Sequence, residues 1–274
     1  MSLTVLTSAS GAPGVTTTAL GLAMSWPRPV LLIDADPAGG SPILAGWFHG
    51  RPPHHRGLLD LAMAHAYGDL RTAIQDVVIP VPDTQVTLVS GVRSPTHAPA
   101  VAALWPELAR VLVGLDRTGP DVIVDAGRLG ASQAPQPILE AADAVLLACR
   151  STLPAISTAR GWARDLHDRF SAVGGGHHLG LLVIGPGRPF GTAEVKGALG
   201  VPVLGALPWD VRTAQAIHLG EASRRLTHGP LARALRPTAE AIASFAAGNR
   251  ARLASASVSG DRAPELADDQ AGRR

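Results

Sequence analysis

Ser8-Ala9-Ser10-Gly11-Ala12-Pro13-Gly14-Val15-Thr16-Thr17-Thr18 stands between a short apolar run, Leu3-Thr4-Val5-Leu6-Thr7, and a helix-like run from Thr17 to Trp26. Strand, glycine loop and helix in that order describe a phosphate-binding loop. Such a loop points backbone N–H groups and a helix N-terminus at an anion. The usual pattern ends Gly-Lys-Ser/Thr. Here Gly14 is followed by Val15, so the shape is kept while the main charge is missing. The basic residues are almost all arginine, and Lys196 is the only lysine, so no neighbouring lysine substitutes.

Beyond the loop, apolar β-rich runs alternate with longer helical patterns. That alternation predicts an α/β fold, a mostly parallel sheet flanked by helices on both faces. Val30-Leu31-Leu32-Ile33-Asp34-Ala35-Asp36 is apolar on successive residues, as in a strand buried on both faces, and Pro37-Ala38-Gly39-Gly40-Ser41 breaks it. Helical patterns follow over 41–48, 58–66 and 70–77, then a strand over 86–91 and a helix over 99–115. Strands are read at 121–127, 144–149, 179–185 and 201–207, and helices at 153–170 and 192–199. Helices resume at Val211 and, with a break at Gly229-Pro230, reach Ala247. One domain over residues 1–248 is expected. Residues 251–274 set four Arg against four Asp plus Glu with little apolar content, which predicts a disordered polar tail over 249–274.

Composition agrees with a packed chain. Of 274 residues 46% are hydrophobic and 17% charged, enough for a sizeable core, and a net charge of +2 does not by itself imply nucleic acid. Cys149 is the sole cysteine and lies in an apolar run, so it reads as a small buried hydrophobe. A disulfide framework is excluded and a reducing compartment fits. No basic stretch followed by a long apolar run opens the chain, and no apolar stretch approaches ~20 residues, so a cytoplasmic protein without signal peptide or membrane span is expected. His49, His54 and His55 have no carboxylate or cysteine partner at ligand spacing and read as a solvated loop.

Three features fall at the carboxyl ends of buried strands: the loop 9–16, the pair Asp34 and Asp36, and Asp125. Ligands of open α/β sheets bind at that edge. In nucleotide hydrolases a loop Ser/Thr binds Mg²⁺, a strand-end aspartate supports the metal, and another carboxylate can orient the attacking water. Thr16, Asp125 and Asp34/Asp36 occupy those stations.

These motifs resemble the ParA/MinD branch of P-loop NTPases (deviant Walker A, SIMIBI class), over about residues 3 to 246. That branch reads Lys-Gly-Gly-x-Gly-Lys-Thr-Thr, then a strand ending Asp-x-Asp-Pro, then a strand ending in the Walker B aspartate. Gly11, Gly14, Thr16 and Thr17 match, as do Asp34-Ala35-Asp36-Pro37 and Asp125. Ala12 replaces a glycine, Val15 the phosphate-loop lysine and Ser10 the signature lysine that reaches a dimer partner's nucleotide. The resemblance implies ATP or ADP with Mg²⁺ held by Ser10, Gly11, Ala12, Pro13, Gly14, Val15, Thr16 and Thr17. It implies Pro208 and Asp210 beside the base, metal ligands Thr16, Asp34 and Asp125, and Asp36 orienting water if the site is active. A base-contacting asparagine of the family would fall near Gly185, where this chain has none. Arg128, just after the Walker B aspartate, is the nearest arginine that could compensate for the lost charge.

The missing lysines resemble those of CpaE/TadZ-like members. The implied function is a homodimeric positioning, partitioning or scaffold factor with weak or no ATP hydrolysis. It would act in DNA partition, at a division site or in pilus or secretion localisation, with an unidentified protein partner. A slow ATPase that dimerises on ATP is the alternative. A third reading is a nucleotide-independent DNA-binding module contacting DNA nonspecifically through Arg224, Arg225, Arg233 and Arg236. The tail shows no apolar face to insert, so no membrane anchor is expected.

Overall fold

A computed structural model gives the fold. The structure describes residues 1–10, 13–53, 55–68, 70–115, 119–172, 177–221 and 225–260, without the side chains of residue 225 and of 253–260.

Strands β1 (Leu3–Ser8), β2 (Val30–Asp34), β3 (Ile79–Pro80), β4 (Val86–Val89), β5 (Asp121–Arg128), β6 (Ala144–Arg150), β7 (Leu179–Ile184) and β8 (Val203–Leu207) form one sheet in the order β3-β4-β2-β5-β1-β6-β7-β8. All pairings are parallel except β3 with β4. Successive strand residues feed two cores, which is why the strands read as unbroken apolar runs. Val122, Val124, Val145 and Leu147 face one side, Ile123, Leu146, Leu182 and Leu207 the other.

The first face is covered by α3 (Leu58–His65), α4 (Leu70–Val77), α5 (Ala98–Ala102), α6 (Trp105–Val113), α7 (Gln136–Ala141), α8 (Leu153–Ala172) and α9 (Thr192–Leu199). The second is covered by α1 (Val15–Met24), α2 (Pro42–Trp47), α10 (Val211–Leu219) and α12 (Pro230–Gly260), with α11 (Arg225–His228) between the last two.

The expected α/β architecture is present, with three differences. The helix expected over 99–115 is two helices, because Pro106 lacks an N–H and its ring excludes the Ala102 carbonyl one turn back. The edge strand β3 was not expected; two residues ending in proline carry no alternation to read. The boundary expected at residue 248 is passed by α12, which stays helical to Gly260. Asn249 is buried and donates to the carbonyls of Asp143 and His177 at 3.0 and 3.3 Å. Arg250 donates to the Met1 carbonyl at 2.7 Å and pairs with Asp143 at 3.5 Å. Those tertiary partners hold a stretch whose composition alone reads as tail. Residues 261–274 lie outside the described residues.

Candidate functional site

β1, β5 and β2 are neighbours at the centre of the sheet, so the loops at their carboxyl ends meet. The register sets Asp125 opposite both Leu6 and Asp34. Asp125 and Asp34 are 0% and 2% exposed. The Gly127 amide donates to Asp125 Oδ1 at 2.9 Å, while Oδ2 of each carboxylate has no hydrogen-bond partner among the described residues. Burial pushes the Asp125 carboxyl up to about 7; repulsion from Asp34 adds to this and the Thr16 hydroxyl opposes it. Burial likewise pushes Asp34 up to about 6, opposed by the Ser41 hydroxyl and reinforced by the Asp36 charge. Asp36 is half-buried, and its Oδ1 accepts from the Ala38 amide at 2.8 Å. Glycines make room for this crowd. Gly127 has φ 62°, and a Cβ there would stand 2.4 Å from the Asp36 carboxyl carbon. A Cβ on Gly91 would stand 2.8 Å from that of Asp34.

Two buried carboxylates with orphaned oxygens beside a threonine hydroxyl suit a hard divalent cation. Mg²⁺ takes few protein oxygens and keeps several waters. Among the described residues no group of three or more His, Cys, Asp or Glu side chains is placed to hold a metal ion by itself. Thr16, Asp34 and Asp125 would be its protein ligands.

At the loop, Gly14 takes a left-handed conformation (φ 84°, ψ 42°), and its carbonyl accepts the first helical bond from Thr18 at 2.8 Å. No side chain caps α1. A cavity of about 220 Å³ opens there, lined by Pro13, Gly14, Thr16, Thr17, Asp36 and Arg128. Val15 also borders it, but is only 7% exposed and packs into the core with Leu6 and Ala19. A second cavity, of about 400 Å³, shares Pro13, Gly14, Thr17 and His218 with the first and continues to Ile184, Leu207, Pro208, Trp209 and Leu231. The two form one cleft, apolar at the far end and polar at the loop.

No protein-family model matches the chain, and no curated protein sequence matches it. Solved structures do. MinD from Pyrococcus horikoshii complexed with Mg-ADP aligns with a TM-score of 0.70 at 17% identity, over 91% of this chain and 99% of that one. The fold is that of the MinD and ParA ATPases. A ParA-family ATPase from Chlorobium tepidum aligns with a TM-score of 0.67 at 16% identity, over 86% and 98% of the two chains. A Cyanothece McdA–ATP complex aligns at 0.65 and 19%, over 89% and 96%.

On this MinD/ParA fold the residues expected at the site are brought together in part. Pro13, Gly14, Val15, Thr16, Thr17 and Asp36 share the loop cavity, and Thr16 reaches toward Asp125. Ser10 is half-buried and lines neither cavity. Gly11 and Ala12 lie outside the described residues. Pro208 and Asp210 line the larger cavity. Asp210 is, however, engaged as the N-cap of α10, accepting from the Thr213 amide at 3.1 Å and its hydroxyl at 2.5 Å, and from the Leu231 amide at 3.4 Å. It shapes the wall more than it offers a free acceptor. Gly185 has φ 69°, and a Cβ there would sit 3.3 Å from Trp209 Cβ. Trp209, stacked under the Arg150 guanidinium at 4.2 Å, thus fills the surroundings of the expected asparagine.

Of the arginine cluster, Arg224 and the side chain of Arg225 are outside the described residues. Arg233 and Arg236 are exposed on α12, and Arg236 pairs with Glu240 at 3.3 Å. His49 and His55 are exposed, as a solvated loop predicts, and His54 is outside the described residues. Cys149 is buried. No helix among the described residues is long and apolar enough to cross a membrane. Trp209, Gln215 and His218 also line the cleft, and sequence reasoning singled out none of them as a site residue. Single polar or aromatic residues on a helix or turn form no motif; their position beside the last strand was the only available signal.

Proposed function

We propose that this protein is a positioning or scaffold factor built on the MinD/ParA fold, which holds Mg-nucleotide weakly and cleaves it slowly or not at all. The observation that carries this reading is Val15. At the place of the phosphate-contacting lysine stands a side chain committed to the core. A charge-assisted contact to phosphate is worth about 1.5–3 kcal/mol, and both loop lysines are replaced. In phosphoryl transfer such charges act mainly on the transition state.

What remains is binding machinery. The amides at the start of α1 and the hydroxyl of Thr17 would cradle the phosphates, and the apolar cavity by Pro208 and Trp209 would take the base. Bound Mg²⁺ would supply charge neutralisation from Thr16, Asp34 and Asp125. Asp36 would orient water. Its position at the cleft favours the second reading, a slow ATPase. The relatives support a role in placement through partners: one solved structure is a MinC:MinD cell division complex from Aquifex aeolicus. A homodimer, a protein partner, a cytoplasmic location and a cargo at a division site, DNA partition complex, pilus or secretion apparatus belong to the same proposal.

Titration with ATP and Mg²⁺, with turnover measured alongside, tests it. Binding with little or no turnover is expected. Turnover that Asp36→Ala abolishes would replace the proposal with the slow-ATPase reading. Tight DNA binding indifferent to nucleotide would overturn both.

A further inference from the structure

His218 lies on α10 and borders both parts of the cleft, the apolar cavity and the loop cavity. It shares the cleft-facing side of α10 with Ala214 and Gln215, one turn earlier. Two facts separate its ring from the packing around it. The close approach between α10 and α2 is made by the His218 backbone carbonyl, which a Cβ on Gly46 would meet at 1.9 Å. The ring itself makes no hydrogen bond or ion pair within the described residues, and the residue is half-exposed. Arg128 follows the Walker B strand and borders the same loop cavity. It too is exposed and without an ion pair among the described residues. Asp36 is the acidic neighbour in that cavity, with Asp34 and Asp125 behind it.

We propose that His218 and Arg128 supply, from outside the loop, the N–H donors, and Arg128 the positive charge, that the vanished loop lysines would have brought to bound phosphates. The ligand class is a nucleoside di- or triphosphate. His218, which borders both cavities, would hold it where base end and phosphate end join, and Arg128 would hold it at the loop cavity. The inference rests on the nucleotide reading above and names the residues that make it possible.

The test measures affinity of the full chain for ADP, ATP and adenosine in the presence of Mg²⁺, for the wild type and for His218→Gln, Arg128→Gln and the double variant. Each single change is expected to weaken ADP and ATP binding roughly tenfold, the double more, with adenosine unaffected, since a lost hydrogen bond to a charged phosphate costs that much. His218→Arg should restore or tighten phosphate-dependent binding, which a merely structural histidine would not do. Thermal unfolding of each variant checks that it is folded. Wild-type binding left unchanged by both glutamine variants overturns this inference and leaves the nucleotide reading standing. No binding of ADP or ATP by the wild type overturns both.

Discussion

At position 15 the difference between valine and lysine is one of reach and charge, and each has a measurable consequence. Val15→Lys is expected to tighten Mg-ADP binding about tenfold. It should also lower stability by about 1–2 kcal/mol, because apolar contacts to Leu6 and Ala19 are exchanged for a charge that must find its way to the cleft. Calorimetric titration and denaturant unfolding of the same variant read both effects. The carboxylates behave differently. Asp34 and Asp125 are raised to about 6 and 7 from ordinary values near 3.8, so the folded protein holds protons that the unfolded chain gives up. Without Mg²⁺, their contribution is fully present below about pH 4 and is lost as pH rises through about 7. Stability measured from pH 4 to 8 should therefore fall more steeply in wild type than in Asp125→Asn, and saturating Mg²⁺ should recover stability at pH 8. A flat profile in both proteins would show that the pair stays ionised. These carboxylates were legible because each ends a buried strand. His218, which shares the loop cavity with Asp36, was not, since a single His on a helix has no pattern to betray it.

Among the elements, the contact of α2 with α10 is the tightest the cleft depends on. It works only because Gly46 has no side chain: a Cβ would stand 1.9 Å from the His218 carbonyl. Gly46→Ala is expected to cost about 2 kcal/mol or more through overpacking and to weaken nucleotide binding by shifting the cleft wall. Unfolding and titration of the one variant check both parts. At the other end of the molecule, Asn249→Ala leaves the carbonyls of Asp143 and His177 without their donor. A loss of about 1–3 kcal/mol should follow, read by chemical denaturation, with nucleotide affinity unchanged. The sequence pattern located most helices and strands because their apolar periodicity is intrinsic. It failed where partners distant in the chain decide: α12 continues past 248 by bonding to Asp143, His177 and Met1, and β3 exists only because β4 offers an edge. Pro106 was visible in the chain, yet the apolar face running through it on both sides hid the break.

For the whole molecule, the prediction is that ligand and fold are linked. A site that binds the folded state alone raises stability by RT ln(1 + [L]/Kd). For a weak binder at a few times its Kd, that is about 1 kcal/mol. In a chain of this size it corresponds to a rise in melting temperature of roughly 2–4 °C. Melting curves with Mg²⁺, with ADP and with both should show the largest rise when both are present. The sheet order that makes this linkage possible, with β1 and β5 adjacent at the centre, was not legible in the sequence, because strand order is set by packing across the whole chain.

The segment after Asp36 runs within a few residues into α2, and α2 is fastened to α10 by the glycine contact and by the Trp47 indole, which donates to the Ile217 carbonyl at 2.6 Å. Gly220 closes the same joint, since a Cβ there would meet Trp47 at 2.9 Å. The strut so formed runs from the carboxylate end of the cleft to its apolar end. Trp47, set in that joint, is placed for its fluorescence to report any change in the packing of α2 against α10 when nucleotide is added.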